Sequence, residues 1–396
     1  MKKKIIIGAL LTVTILLSVF YYANQDKLNL LFARYQSVPY FPYKVGRYGK
    51  SYLTYHKGIP VLHLYGSPKE RGNAMGRLVR EQVKVLVSHF LHKMLPPKKW
   101  PVAHSKAKQL EKNIPAEYIE EMKGLSESSG IAYKDILLAN TFLEMQSTIY
   151  CSVFTAHKEK SASGKLILGR NLDFESFNVA HLYDLIVVHH LSKDHSVVSI
   201  GWPGLIGVIS GMNSRGLSAT MLVSLTGGWE SVTDKVPSTI AYRMLLDREH
   251  SVKGAYRFFR NRTIASSNNL AVADSHNESA VFELSPVRKT RIRRPTNNFL
   301  YCTNYFLVEE GKSQRDKRYS YLQGKASTYS KHREKVNLPR LKSILRKVAL
   351  GRNNLQAMIL QPEDRKIYLS MDKIPAASGT YLELDLNLFF NPELKQ

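Results

Sequence analysis

Three residues in the middle of the chain have the types and spacing for acyl chemistry: Cys151, Arg170 and Asp173. The stretch reads Tyr150-Cys151-Ser152-Val153-Phe154, then a polar segment, then Gly169-Arg170-Asn171-Leu172-Asp173-Phe174-Glu175. Val153 and Phe154 suit a strand, Lys158–Gly164 a turn, and Lys165–Leu168 a second short strand. Such a hairpin carries Arg170 and Asp173 back beside Cys151. A thiol is a strong nucleophile near neutral pH once a base converts it to thiolate. A cysteine that opens a chain carries its own base, an α-amine with a pKa of about 7.7–8.0. Arg170 would then hold the thiolate electrostatically and Asp173 would orient the amine. Taken alone, Cys151 reads as a small buried hydrophobe and Arg170/Asp173 as a surface ion pair; further matches along the chain weigh for chemistry.

A Cys opening a strand, followed by a turn and Gly-Arg-Asn-x-Asp, resembles the N-terminal-nucleophile (Ntn) hydrolases of the choloylglycine hydrolase and penicillin acyltransferase type. Acid ceramidase and N-acylethanolamine amidase share that plan. The resemblance implies self-cleavage between Tyr150 and Cys151, which makes Cys151 the first residue of a new chain. Gly66-Ser67-Pro68-Lys69-Glu70-Arg71-Gly72 resembles the pro-segment of the penicillin acyltransferase branch, and Asn213-x-x-Gly216-Leu217 the family's Asn-x-x-Gly-Leu turn. Thr303-Asn304 resembles its Thr-Asn motif, which implies that the Asn304 amide donates to a developing oxyanion. Ser313 to Tyr319 resembles its Ser…Arg-aromatic segment, placing Arg318 in the charge network at the cysteine, with Arg315 as the rival position. The chain departs from the pattern at one point. Bile-salt hydrolases carry a second oxyanion-type Asn at the end of the strand after the Asn-x-x-Gly-Leu turn, and this chain has Val223 there, followed by Ser224. That argues against a bile-salt hydrolase in particular.

Strands that alternate in blocks with helices imply a layered α+β domain, and the resemblance makes it a four-layer αββα sandwich over about residues 60–390, preceded by a helical N-terminal segment. Asp26–Tyr55 reads as a polar and aromatic linker, and 61–66 as a strand. Ser67 is a fitting N-cap, with Pro68 in the first turn and Glu70 three residues on. From there a long amphipathic helix is expected to about Leu95, with Gly72 and Gly76 one turn apart for close packing. Helices follow at about 105–128, broken at Pro115, and at 133–145. After the hairpin, strands are expected at 183–190, 197–201, 204–210 and 217–223. Asn213 and Gly216 suit positive φ in the turn before the last of these, with a structural role for Asn213. Helices at 239–249 and 251–259 precede strands at 269–274, 280–284, 289–293 and 299–303. A helix at 338–349 and closing strands at 357–361, 366–370 and 381–385 complete the reading.

The 396 residues carry a formal net charge of +25. The basic residues are spread along the chain, and Arg288–Arg294 reads as one basic strand face. No zinc-finger spacing, RNP-type strand or heptad zipper accompanies them, so nucleic acid is not expected as a partner; anionic membrane surfaces, acidic substrates or simple solvation fit better. Lys2-Lys3-Lys4 before the apolar run Ile5–Tyr22 reads as a signal anchor or signal peptide, residues 1–24, with the rest exported. Residues 25–150 would form a retained α-chain and 151–396 the catalytic chain. Cys151 and Cys302 make no disulfide framework. His189 and His190 point to opposite faces of one strand and cannot jointly hold a metal. The absence of HExxH and GxSxG motifs disfavours zinc and α/β-hydrolase chemistry. No metal or organic cofactor is implied. The expectation is an autoproteolytic cysteine amidohydrolase acting on an N-acyl amide, through an acyl-enzyme. Acyl transfer from a thioester to an amine is the alternative within enzymes, and a membrane-tethered, non-catalytic relic the alternative outside them.

Overall fold

The computed structural model of the chain describes residues 38–145, 149–226, 233–307 and 316–391. The apolar run at 5–22 and the rival position Arg315 lie outside them; among the described residues no helix is long and apolar enough to cross a membrane. The chain enters through strands β1 (Gly46–Tyr48), β2 (Ser51–His56) and β3 (Ile59–Leu64). The expected linker at 26–55 therefore contains two strands in its described part. Tyr, Arg and Lys hide the alternation there, and the pattern shows only as burial of Ser51 and Leu53 between half-exposed neighbours.

Helix α1 (Pro68–Leu78) starts as its sequence dictates: Ser67 accepts from the Glu70 N–H and the Glu70 carboxylate accepts from the Ser67 N–H. It does not continue to Leu95. At the buried, β-branched Val79 the backbone leaves helical geometry (φ −131°), then resumes as Arg80–Val85, a π-turn at Leu86–Leu91 and His92–Met94. Helices α2 (Trp100–Glu111), α3 (Ala116–Ser129) and α4 (Tyr133–Thr141) complete the segment. The glycines of α1 serve its contact with α3: a Cβ on Gly72 would run into the Glu121 carbonyl, and one on Gly76 into Ser128.

Beyond lie β4 (Tyr150–Ala156), β5 (Ile167–Asp173), β6 (Leu185–His190), β7 (Ser196–Gly201), β8 (Ser210–Asn213) and β9 (Ser218–Val223). Helices α5 (Ser238–Arg248) and α6 (Val252–Arg260) precede β10 (Asn268–Ala273), β11 (Ser279–Leu284), β12 (Arg291–Arg293) and β13 (Phe299–Cys302). Helices α7 (Lys317–Lys331) and α8 (Leu338–Val348) then lead to β14 (Asn354–Gln361), β15 (Lys366–Ser370) and β16 (Leu382–Asp385). Residues 204–209, expected in a strand, form a loop because their polar backbone is satisfied elsewhere. The Asn140 side chain binds both the Gly204 carbonyl and the Ile206 N–H, and the Val208 N–H donates to the Thr239 carbonyl. Gly216 takes positive φ in the following turn; Asn213 does not. Asn213 instead stays in β8, and its amide donates to the carbonyls of Leu246 and Glu249 at the end of α5.

The strands form two sheets. One runs β1-β2-β3-β6-β7-β8-β9-β10-β11-β12, the other β13-β4-β5-β14-β15-β16. Only the β3–β6 pairing is parallel among these neighbours. Helices α5 and α6 cover the first sheet, α7 and α8 the second, and the sheets face each other between them. This is the four-layer αββα sandwich. The N-terminal segment is not helical throughout, because its three strands form one end of the larger sheet.

Candidate active site

The hairpin β4–β5 sets the site. Its register pairs Tyr150 with Asp173, Cys151 with Leu172 and Val153 with Arg170. Cys151, Arg170 and Asp173 are all buried; Arg170 reaches across to the facing sheet, while Asp173 turns toward the segment that follows α8. Their supports come from the facing sheet and from later segments. Arg170 Nε donates to Ser210 Oγ of β8 at 2.6 Å, while its Nη2 has no hydrogen-bond partner. Asp173 Oδ1 accepts from Asn354 Nδ2 at 2.9 Å and from the Leu350 N–H at 3.2 Å; its Oδ2 accepts none. Asp173 Oδ2 lies 3.9 Å from Arg318 Nη1. Two buried polar atoms with unused capacity thus flank the cysteine, where such atoms are normally paired.

Asn304 and Arg318 meet on the peptide unit of Cys151. The Cys151 N–H donates to Asn304 Oδ1 at 2.8 Å. Arg318 Nη1 donates to the Cys151 carbonyl at 3.1 Å and Nη2 to Asn304 Oδ1 at 3.1 Å. Asp316, the N-cap of α7, fixes that guanidinium from the other side, accepting from Nε at 3.3 Å and Nη2 at 3.1 Å. The Asn304 NH₂, expected to await an oxyanion, is engaged in the uncut chain: it donates to the Ile149 carbonyl at 3.0 Å and the Val223 carbonyl at 2.6 Å.

Burial dominates the titration of the site. It pushes the Cys151 thiol up, against the pull of the Arg170 guanidinium. It raises Asp173 to about 6, against the Leu350 and Asn354 donors and the two arginines. Burial pushes the Cys302 thiol up to about 11, and its sulfur accepts from Arg293 Nη2 at 2.9 Å. The two cysteines are free thiols. His189 and His190 do face opposite ways. His189 lies 3.4 Å from Glu121 and His190 3.0 Å from His63. The structure thus brings together all the sequence candidates, Tyr150, Cys151, Arg170, Asp173, Asn304 and Arg318. Ser210, Asn354 and Asp316 join them, although the sequence reading does not single them out. An Asp two residues before an Arg at a helix start is the one signal that could have found Asp316.

Next to the site lies a narrow apolar cleft with about 60 Å³ of free space. Val87 and Phe90 of the Arg80–Met94 stretch, Ala139 of α4, and Phe174, Trp202 and Ile209 line it. Phe174 and Ile209 are chain neighbours of Asp173 and Ser210, so the cleft adjoins the charged cluster.

Residues 158–347 match the family model described as acyl-coenzyme A:6-aminopenicillanic acid acyl-transferase. The matched stretch holds Arg170, Asp173, Asn304 and Arg318 and begins after Cys151. An uncharacterized protein of Archaeoglobus fulgidus is 26% identical over 195 residues, 41% of this chain and 32% of that protein. The chain spans about a third of that relative's length. Protein dcd1A of Dictyostelium discoideum is 22% identical over 384 residues, covering 84% of this chain and 86% of that one. Among solved structures, a mutant conjugated bile acid hydrolase from Clostridium perfringens aligns with a TM-score of 0.44 at 14% identity, over 60% of this chain and 92% of its own. Over residues 158–347, just under half of the chain, this sandwich is similar to the acyl-coenzyme A:6-aminopenicillanic acid acyl-transferase family.

Proposed function

We propose that the chain is a cysteine amidohydrolase that makes its own nucleophile by cutting between Tyr150 and Cys151. The observation that carries this reading is the convergence of Asn304 and Arg318 on the Cys151 peptide unit, with Arg170 Nη2 and Asp173 Oδ2 left with unused capacity beside it. In the cut, the Cys151 sulfur attacks the Tyr150 carbonyl and forms a thioester. The C–N bond breaks and the nitrogen of Cys151 becomes an α-amine. Water then cleaves the thioester, leaving a Tyr150 carboxylate and a free thiol. Residues 25–150 remain as an α-chain and 151–396 form the catalytic chain.

The new amine is the general base. It keeps Asn304 Oδ1 as an acceptor and gains Asp173 Oδ2 as a second. In turnover the thiol gives its proton to the amine, sulfur bonds to the substrate's amide carbon, and the oxyanion forms. Withdrawal of Ile149 after cleavage frees one Asn304 N–H for that oxyanion; such a donor typically supplies roughly 3–4 kcal/mol of barrier lowering. The ammonium then protonates the leaving amine, and water releases the acyl group from sulfur. Arg170 stabilises the thiolate, and Arg318 holds the Cys151 carbonyl.

The apolar cleft supports a substrate with a hydrocarbon-like acyl group joined to a small amine. An amine in place of water as acceptor would make the same acyl-enzyme a transferase, the reading that the family's description favours. We further propose that residues 1–24 export and anchor the chain. The test is turnover of N-acyl amides of graded chain length by the purified protein, with and without an added amine. Free acid is the expected product, with no turnover by Cys151→Ala. Acyl transfer alone would establish the transferase, and full activity in Cys151→Ala would overturn both.

A further inference from the structure

Between Asp26 and Glu70 the sequence contains no acidic residue, while Lys27, Arg34, Lys44, Arg47, Lys50, Lys57 and Lys69 fall within it. The structure shows where the described part of that stretch lies. It forms β1 and β2 at the outer edge of the ten-stranded sheet, with the lead-in residues 40–45 laid against them. Tyr55 Oη donates to the Tyr43 carbonyl at 2.9 Å, and the Phe41 N–H donates to Tyr183 Oη at 3.1 Å, so the lead-in is fastened to the body. Of the nine exposed large hydrophobic residues among those described, five are here: Tyr40, Phe41, Val45, Tyr48 and Tyr55. Val45 is 70% exposed and Tyr40 59%. Lys44, Arg47 and Lys50 lie among them, in the β1–β2 hairpin and just before it, with Lys44 and Lys50 exposed and Arg47 at the strand's open face.

We infer that this edge is a bilayer-docking surface for anionic lipid. Tyrosines are amphipathic rings suited to the headgroup boundary, and clustered Lys and Arg are drawn to a negatively charged leaflet. Residues 27–69 carry charge of one sign only, and although the exposed Glu70 carboxylate lies near Lys50, the excess is strongly positive, which fits a lipid surface of opposite sign. The position also fits. The basic-aromatic edge begins about 20 residues after the apolar run Ile5–Tyr22, close enough along the chain for a membrane contact made by that run to keep this edge within reach of the same surface. A second copy pairing along β1 is the competing occupant and is decided by the same experiment.

The test is hydrogen exchange of the full chain mixed with vesicles of pure phosphatidylcholine or of phosphatidylcholine with about one-third phosphatidylglycerol. Peptides covering 40–55 should slow by about tenfold with the anionic vesicles, and the protection should vanish in about 0.5 M salt. The triple variant Lys44→Gln, Arg47→Gln, Lys50→Gln should lose on the order of a hundredfold in partitioning to anionic vesicles, about fivefold for each charge removed. Its thermal midpoint should be unchanged, because the three side chains lie at the surface. Equal exchange of 40–55 in both vesicle types overturns the inference. So does protection that grows with protein concentration without lipid, which would assign the edge to a second copy.

Discussion

Asn304 straddles the bond before Cys151: its Oδ1 accepts from the Cys151 N–H at 2.8 Å, and its Nδ2 donates to the Ile149 carbonyl at 3.0 Å. One side chain therefore holds the backbone on both sides of the proposed cut and is released on one side only when the cut is made. Asn304→Ala should slow formation of the two fragments by about two to three orders of magnitude, the usual effect of losing a preorganised donor. Asn304→Asp keeps an acceptor for the Cys151 nitrogen but loses the donor, so processed Asn304→Asp should show a fall in kcat with little change in KM. Time-resolved gels and steady-state kinetics check both.

Ser210 matters because Arg170 is buried and its Nε has that hydroxyl as its partner. Ser210→Ala leaves a buried guanidinium N–H without an acceptor, a change that costs about 1–3 kcal/mol. Urea unfolding of the uncut Cys151→Ala chain should show that loss. In the active chain the freed guanidinium should also raise the pH at which the thiol is alkylated, a readout that a purely structural serine would not move.

The parts of the site legible in the sequence are those carried by local pattern. The β4–β5 hairpin follows from its turn composition, so Arg170 and Asp173 return to Cys151 within one supersecondary unit. The capping box at Ser67/Glu70 is local for the same reason. Ser210 and Asn354 are not legible, because they reach the site across 40 and 181 residues of chain and nothing in their own neighbourhoods marks them. Strands β1 and β2 escape notice since tyrosines and arginines replace the aliphatic alternation. The loop at 204–209 has an apolar run that fits a strand, but its hydrogen bonds go to Asn140 and Thr239, partners fixed only by tertiary packing.

Asp184 should govern stability on the alkaline side. Burial raises it to about 8, against a hydrogen bond from Gln356 Nε2 at 2.7 Å. The folded protein therefore binds this proton more tightly than the unfolded chain, whose carboxylate titrates near 3.8. The resulting stability is complete below about pH 4 and is lost as pH rises toward 8. Asp173 adds a loss of the same sign between about 4 and 6. Glu121 is pushed up by burial but more strongly pulled down by Arg243, His189 and Arg71, to about 2, so its opposite effect falls below pH 4.5. In the uncut Cys151→Ala chain, Asp184→Asn should flatten the fall between about pH 4 and 8. It should be more stable than its parent at about pH 8, by up to about 5 kcal/mol, and equal to it at about pH 4. Urea midpoints across that range decide this.

The proposed seating of the acyl group in the apolar cleft predicts a dependence on acyl length. Ala139→Phe fills part of it from the α4 side, away from Cys151 and its partners. Processing should be unaffected, while kcat/KM for long acyl chains falls by about fourfold per excluded methylene, the equivalent of roughly 0.8 kcal/mol each. Short-chain amides should be turned over as before. Equal losses for every chain length would place the acyl group elsewhere.

All of the proposed chemistry follows from Cys151 becoming the first residue of a chain. Intact-mass analysis of the purified protein, with N-terminal sequencing of each fragment, measures this. Two co-purifying fragments are expected, the second beginning Cys-Ser-Val-Phe, and a single uncut chain for Cys151→Ala. A fully active preparation in which the Tyr150–Cys151 bond is intact would refute the mechanism.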